Sequence, residues 1–251
     1  AGAGVFTSRI PFVWPGGAFN NNGLTIGGGL LTNQPFEPNI EQQPTDPNFA
    51  IPSGQIDLFS ENFKYPQVLR ASAAIDQVLP AKIKISPEGI FTKTLNNVLY
   101  TNVNSDPTEA FRWTGGPDER SIYSGQSLDP TYTAVYLATN TSEGSGLNLT
   151  ASLNKDFSWG LNAFAAYTYG EAESLIDGTS SQNSSQWRGG FNVDGRNMPE
   201  FGISDFALGS RFIAALGYRK NWGWGDRYRT SVSLFYNRQS GDPYSYVYAG
   251  S

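Results

Sequence analysis

The chain has 251 residues, with 17 basic and 22 acidic side chains, a net charge of -5, and neither Cys nor His. The balance argues against a nucleic-acid partner, which needs a basic stripe. Without Cys or His there is no disulfide, no imidazole–thiolate zinc site and no Ser-His-Asp or Cys-His catalysis.

Charged residues make up 16% of the chain, below the roughly 25% usual for soluble domains, while aromatics reach 14%. Neutral polar residues with aromatics and few charges fit a β-wall between lipid and water. They also fit a secreted glycan-binding β-sandwich. No apolar run approaches the 18 residues of a transmembrane helix. No signal peptide is visible, and the opening Ala1-Gly2-Ala3-Gly4 lacks Met, as in a mature form or a piece of a longer protein.

Period-two alternation predicts seven strands, because successive side chains leave a strand on opposite faces. The first covers 3–12. A stretch from 13 to about 65 follows with no periodicity and six prolines between Pro15 and Pro52, and reads as a long loop. The second strand, 67–79, sets Leu69, Ala71, Ala73 and Ile75 against Arg70, Ser72 and Asp76. A short turn at Pro80-Ala81 leads to the third, 83–102, where Pro87 cannot donate to a ladder and should mark a bulge or local edge. A second long loop spans 103–130.

The fourth strand, 132–157, is interrupted at Glu143-Gly144-Ser145-Gly146, read as a bulge with a hairpin turn as the alternative. Its second half alternates most clearly: Leu147, Leu149, Ala151 and Leu153 against Asn148, Thr150, Ser152 and Asn154. The fifth strand, 161–174, resumes the apolar row with Leu161, Ala163, Ala165, Tyr167 and Tyr169. A third long loop covers 175–205. The sixth strand is 206–218, and the seventh, 228–239, sets Tyr228, Val232, Leu234 and Tyr236 against Arg229, Ser231, Ser233 and Asn237. Short connections near Pro80, Trp159 and Trp222 fall at one end and long loops at the other, the pattern of a bacterial outer-membrane barrel.

Trp159, Tyr167, Tyr169, Tyr218, Trp222, Trp224, Tyr228 and Tyr236 fall near predicted strand ends. They read as interfacial girdles; packing in a sandwich core or sugar stacking is the alternative. Small residues on the apolar rows (Ala71, Ala73, Ala163, Ala165, Ala214) suit a lipid-facing surface better than a close-packed core. Glu171 with Glu173, or Asp118 with Glu119, could be an acid–base pair in a glycosidase, yet solvation at a rim explains the first better. Asp177-Gly178 and Asp194-Gly195 lack the spacing of a calcium loop and read as turns. Gly27-Gly28-Gly29 lacks the Lys-Ser/Thr of a phosphate loop. The sequons at Asn140, Asn148 and Asn183 read as chance matches. No catalytic, cofactor or metal residue is expected.

The chain resembles the barrel of a TonB-dependent outer-membrane receptor, the Oar-like type with a carboxypeptidase-regulatory-like N-terminal domain found in Bacteroidetes. The segments that carry the resemblance begin with Val5-Phe6-Thr7-Ser8-Arg9-Ile10-Pro11-Phe12-Val13-Trp14 and Phe63-Lys64-Tyr65-Pro66-Gln67-Val68. They continue with Gly89-Ile90-Phe91-Thr92-Lys93, Asn96-Asn97-Val98 and Ala166-Tyr167-Thr168-Tyr169-Gly170. Last come Ser204-Asp205-Phe206, Arg211-Phe212, Ser233-Leu234-Phe235-Tyr236-Asn237 and Ser240-Gly241-Asp242-Pro243-Tyr244-Ser245.

The resemblance implies an all-β, antiparallel transmembrane β-barrel of roughly 22 strands, of which residues 1–251 form part of one domain. The plug, the TonB box and the remaining strands are not among these residues. It implies energy-dependent uptake of a large ligand across the outer membrane and no enzyme activity. The implied partners are outer-membrane lipid, TonB through the N-terminal part, and a surface lipoprotein or other outer-membrane chains; nucleic acid is not among them. Asn148, Thr150, Ser152 and Asn162 are then expected to face the lumen, and the loops around 20–52, 106–130 and 176–197 to form the vestibule. Trp113, Trp187 and Arg188 are candidate ligand contacts, with loop-on-loop packing as the alternative. A non-transporting barrel serving as adhesin or scaffold is the second reading, a glycan-binding sandwich the third and a secreted hydrolase the last.

Overall fold

The structure, a computed structural model, describes residues 1–25, 35–43, 54–116, 119–190, 192–223 and 228–245. Gly27-Gly28-Gly29, Asp118 and Trp224 lie outside the described residues. In chain order the elements are β1 (Gly2–Thr7), α1 (Val13–Asn20), β2 (Gly54–Phe59), β3 (Gln67–Ala74), β4 (Gln77–Leu79), β5 (Ile83–Asn102), β6 (Glu109–Arg112) and β7 (Ser121–Tyr123). They continue as β8 (Tyr132–Thr141), β9 (Gly144–Asp156), β10 (Leu161–Ser174), α2 (Asn183–Gly189), β11 (Gly202–Ile203), β12 (Gly209–Asn221) and β13 (Arg229–Gln239).

The principal sheet runs β1-β3-β5-β9-β10-β12-β13, every neighbouring pair antiparallel. The seven expected strands are all present, in sequence order, and the short connections share one end. Pairing aligns the rows across the wall. Ile85, Leu153, Ala165, Ala214 and Tyr236 stand side by side, as do Gly89, Leu149 and Tyr169. On the opposite face Glu88, Thr150, Thr168 and Arg211 align. The wall therefore has one apolar and one polar face. No second sheet covers the apolar one among the described residues: Leu149 is 48% exposed, Leu153 45% and Leu234 65%. A sandwich would bury these side chains, and this wall does not.

Three interruptions have local causes. Ile75 donates its N–H to the Pro87 carbonyl at 3.0 Å, but Pro87 has no N–H to return, so the ladder lapses between β3 and β4. The pairings Ala74↔Glu88 and Gln77↔Ile85 keep one alignment across the gap; the proline makes a gap here rather than a bulge. The break between β8 and β9 is likewise neither bulge nor hairpin. Asn97↔Thr141 and Lys93↔Ser145 hold the same alignment along β5, so no residue is inserted. The strand divides because β8 turns its other edge to β2, in parallel, while β9 turns its own to β10. The first strand stops at Thr7, well short of Phe12, because Ile10 leaves the sheet for a buried cluster and Pro11 cannot join a ladder.

That cluster, Ile10, Trp14, Val98, Tyr100, Ala134, Tyr136 and Ala138, lies wholly at the long-loop end. It fills the space between α1, the last third of β5 and β8, with Trp187 of α2 against it. The regions expected as plain loops thus carry α1, β2, the β6–β7 hairpin, α2 and β11. The sixth strand also starts later than expected, at Gly209, leaving Phe206 and Leu208 outside it.

The two faces call for opposite responses to charge. Arg at Leu149, Ala163 or Ala214 is expected to cost roughly 2–4 kcal/mol near a bilayer midplane and to abolish the heat-modifiable folded band in membranes. Arg at Thr150 or Asn162 should leave that band intact; equal tolerance on both faces would refute the assignment of sides.

Candidate functional site

The polar face is tied together by its own side chains. Thr150 and Thr168 share a hydrogen bond of 3.0 Å between hydroxyls, Arg70 Nε donates to Thr92 Oγ1 at 3.3 Å, and Asn162 Nδ2 donates to Asp156 Oδ1 at 2.6 Å. Asn148, Thr150, Ser152 and Asn162, expected on the lumen side, all fall on this face.

Above the wall the long loops fold into a head, held by asparagine side chains. Asn102 Oδ1 accepts from the N–H groups of Asn104 and Val135. Asn104 in turn donates to the carbonyls of Asp129 and Tyr132 and accepts from Asp129 N–H. Asn140 bridges Lys64 and Asn97, and Asn97 reaches the Ile176 carbonyl at 3.2 Å. Each amide offers both a donor and an acceptor, so one side chain can satisfy a loop's backbone where no neighbouring strand exists.

Two buried polar groups mark the centre of the head. Asp57, 2% exposed, accepts 2.7 Å hydrogen bonds from Asn21 Nδ2 and Gln55 Nε2. Tyr100 donates to Asn183 Oδ1 at 2.9 Å and meets Trp14 edge to face at 5.8 Å. Burial pushes the Tyr100 hydroxyl well above the usual tyrosine range, and the Asp57 carboxylate adds to the shift. Tyr136 is raised chiefly by burial too. Gly17 packs into this centre without room for a side chain: a Cβ there would lie 2.7 Å from Asp57 Oδ2.

Beside the head is a cavity of about 1240 Å³, reached from the loop ends of β10 and β12 and lined by α2 and the 192–205 segment. Arg120, Arg188 and Arg196 face it, with Glu173, Glu200 and Asp205. Both Trp187 and Arg188 line it; Trp113, at the end of β6, does not. Trp187 is engaged in packing: its Nε1 donates to Asn197 Oδ1 at 2.6 Å, its ring meets Tyr136 at 5.5 Å, and the Arg196 guanidinium lies 5.4 Å from the ring centre. Among the described residues Arg188 bonds back within its own helix, to the Ser184 carbonyl and hydroxyl. Trp113 is 42% exposed, and its N–H donates to the Arg120 carbonyl at 2.8 Å.

The other sequence candidates resolve as turn and rim chemistry. Asp177 collects the hydroxyls of Ser174 and Ser204, each at 2.6 Å, and Asp205 N–H at 2.8 Å, pinning the start of the third loop. Glu171 and Glu173 are exposed on one face of β10, and Glu171 accepts the Tyr169 hydroxyl. No periodicity marks the asparagine network; its signal in the sequence is the recurrence of Asn toward the loop ends of β5 and β8, at 97, 102, 104 and 140.

Asn197 accepts from Trp187 Nε1 and Asn102 N–H and donates to the Asn102 carbonyl. Asn197→Ala leaves these groups unpaired, at about 1–3 kcal/mol for each one buried. Hydrogen exchange across 183–198 is expected to rise several-fold while β9 and β10 stay protected; an unchanged segment would show that the amide does not hold it.

Neither the curated proteins nor the solved structures give a match to this chain. A family model described as outer membrane beta barrel domain matches residues 2–248, and with nearly the whole chain matched, the protein belongs to that outer-membrane β-barrel family and resides in the bacterial outer membrane.

Proposed function

We propose that this chain forms part of the wall and extracellular head of a TonB-dependent transporter that takes up a large ligand. The observation that carries the reading is the cavity of about 1240 Å³ beside the folded head, at the long-loop end of a wall whose other face is polar. Ligand pockets of about 300–1,000 Å³ hold drug-sized molecules, so this volume suits something larger. Three arginines and several carboxylates around it suit a polar ligand carrying hydrogen-bonding groups of both kinds. Arg188, with no hydrogen bond outside its helix among the described residues, is the first candidate contact, and Trp187 fixes the helix that presents it.

In this reading the head captures the ligand, the hydroxyl- and amide-lined face offers a wet passage, and TonB acts through a segment outside these residues. The second reading, a non-transporting adhesin or scaffold, draws on apolar groups displayed by the head: Phe111 is 53% exposed, Ile203 70% and Phe206 68%. Exposed apolar patches of this kind mark protein contacts.

Crosslinking in the source cells separates the two. The transporter is expected to yield a covalent adduct between TonB and the full-length barrel. Capture of surface proteins without any TonB adduct would favour the scaffold. Arg188→Ala should then lower uptake, or growth on the ligand, by about tenfold, in line with a charge-assisted hydrogen bond of roughly 1.5–3 kcal/mol, while the folded band is unchanged.

A further inference from the structure

Charge is distributed unevenly along the wall's height. The chain as a whole is acidic, yet its short-turn end carries Lys82, Lys84, Lys155, Arg219, Lys220 and Arg229 against two described carboxylates, Asp156 and Asp76, the latter bonded by the Ser86 hydroxyl. Asp156 already accepts from Asn162. Two of these cations stand on the apolar face. Lys155 aligns with Ala163 and Ile83, and Lys220 lies two residues beyond Tyr218, which pairs with Leu161 and Val232.

Both ammonium groups are held by aromatic rings. Lys155 Nζ lies 4.6 Å from the centre of Phe157, and Lys220 Nζ 4.3 Å from that of Trp222. The rings are fixed in turn: Trp159 contacts Phe157 at 5.5 Å and Tyr218 at 5.9 Å, and Trp222 Nε1 donates to Thr230 Oγ1 at 2.9 Å. Neither lysine has an ion pair among the described residues. The pattern is an apolar belt that ends in an aromatic band, with two cations fixed over that band.

The geometry points to a binding site for phospholipids with anionic headgroups, at the rim where the short turns meet the periplasmic leaflet. The acyl chains lie along the apolar rows, which are continuous with the site, and the headgroup phosphate meets Lys155 or Lys220. The rings orient the ammonium groups by cation–π attraction while the lysine stems lie against the wall. The two strands that carry the lysines are separated by β10, roughly 10 Å apart, so each lysine serves its own lipid. This inference does not depend on transport or on TonB.

The full-length barrel in phosphatidylcholine vesicles provides the test, with tryptophan quenching by brominated phosphatidylglycerol compared with brominated phosphatidylcholine. Wild type is expected to prefer the anionic lipid by roughly fivefold per lysine at low salt and to lose most of the preference at high salt. Lys155→Gln with Lys220→Gln should quench equally with both lipids. Lys84→Gln, on the polar face, should keep the wild-type preference, and so should Lys155→Arg with Lys220→Arg. Should the double Gln variant not insert, each single Gln variant is expected to lose part of the preference. No preference in wild type, as an acidic protein partner at this rim would give, overturns the proposal. So does a preference that survives in the Gln variants, or one that Lys84→Gln removes.

Discussion

The backbone ladder across the wall is the constraint on which everything else depends. In hydrocarbon an unpaired N–H or C=O has no water to turn to and costs several kcal/mol, so the strands must pair along the whole height of the membrane. Side chains are thereby freed from holding the wall together. Residues as small as Ala163, Ala165 and Ala214 serve on the apolar face, because lipid fills whatever space they leave. Among the described residues the buried cluster lies at the long-loop end of the wall, not between layers as in a soluble domain. At Pro87 the ladder itself lapses, yet the alignment of β3, β4 and β5 continues on both sides of the gap.

The head solves the same problem in another way. Outside the bilayer the loops cannot all find a neighbouring strand, and amide side chains replace the missing ladder. Asn104 and Asn140 each satisfy three backbone groups of other segments, and Asn102 satisfies the N–H groups of Val135 and of its near neighbour Asn104. The head is therefore ordered beyond the short β2–β8–β5 and β6–β7 pairings that it contains, and it can shape a cavity beside the wall. The buried Asp57 belongs to the same economy: among the described residues it has two amide donors and no ion pair, so its oxygens are satisfied by side-chain amides. Removing either amide would leave a buried acceptor short of a partner, which makes these positions sensitive although none need touch a ligand.

The contrast explains what the sequence discloses. All seven wall strands are legible, because lipid on one side and water on the other enforce strict alternation. Leu149 and Leu153 against Thr150 and Ser152 leave no other phase. Even the continuity of β8 with β9 can be read, though the interruption looks like a bulge until the partner strands are known. The head is illegible by the same logic. Its segments α1, β2 and α2 are specified by contacts distant in sequence, such as Trp14 with Tyr100 and Trp187 with Tyr136, and no period marks them. Phe206 and Leu208 continue the phase of the sixth strand, but the turn closed by Ala207 N–H on the Ser204 carbonyl takes them out of it. Of the proposed contacts, Trp187 and Arg188 meet in one cavity because one short helix carries both, which spacing alone does not reveal.

The direction of the edge strands carries the constraint one step further. Among the described residues β1 pairs only with β3, and β13 only with β12, so each exposes one unpaired edge. Six antiparallel steps separate them, and both therefore run toward the long-loop end. Joined to each other they would form a parallel seam, whereas strands of single-chain bacterial barrels pair antiparallel throughout and number an even total. Antiparallel closure needs an odd number of further strands between β13 and β1, whichever chain supplies them. Exposed edges template pairing with any available strand, and in lipid they are forbidden outright. Among the described residues the seven-strand wall leaves both of these edges open, and β13, exposed along its whole length, gains little from its own packing, so a strand laid antiparallel on its free edge would add the pairing that the wall itself does not supply.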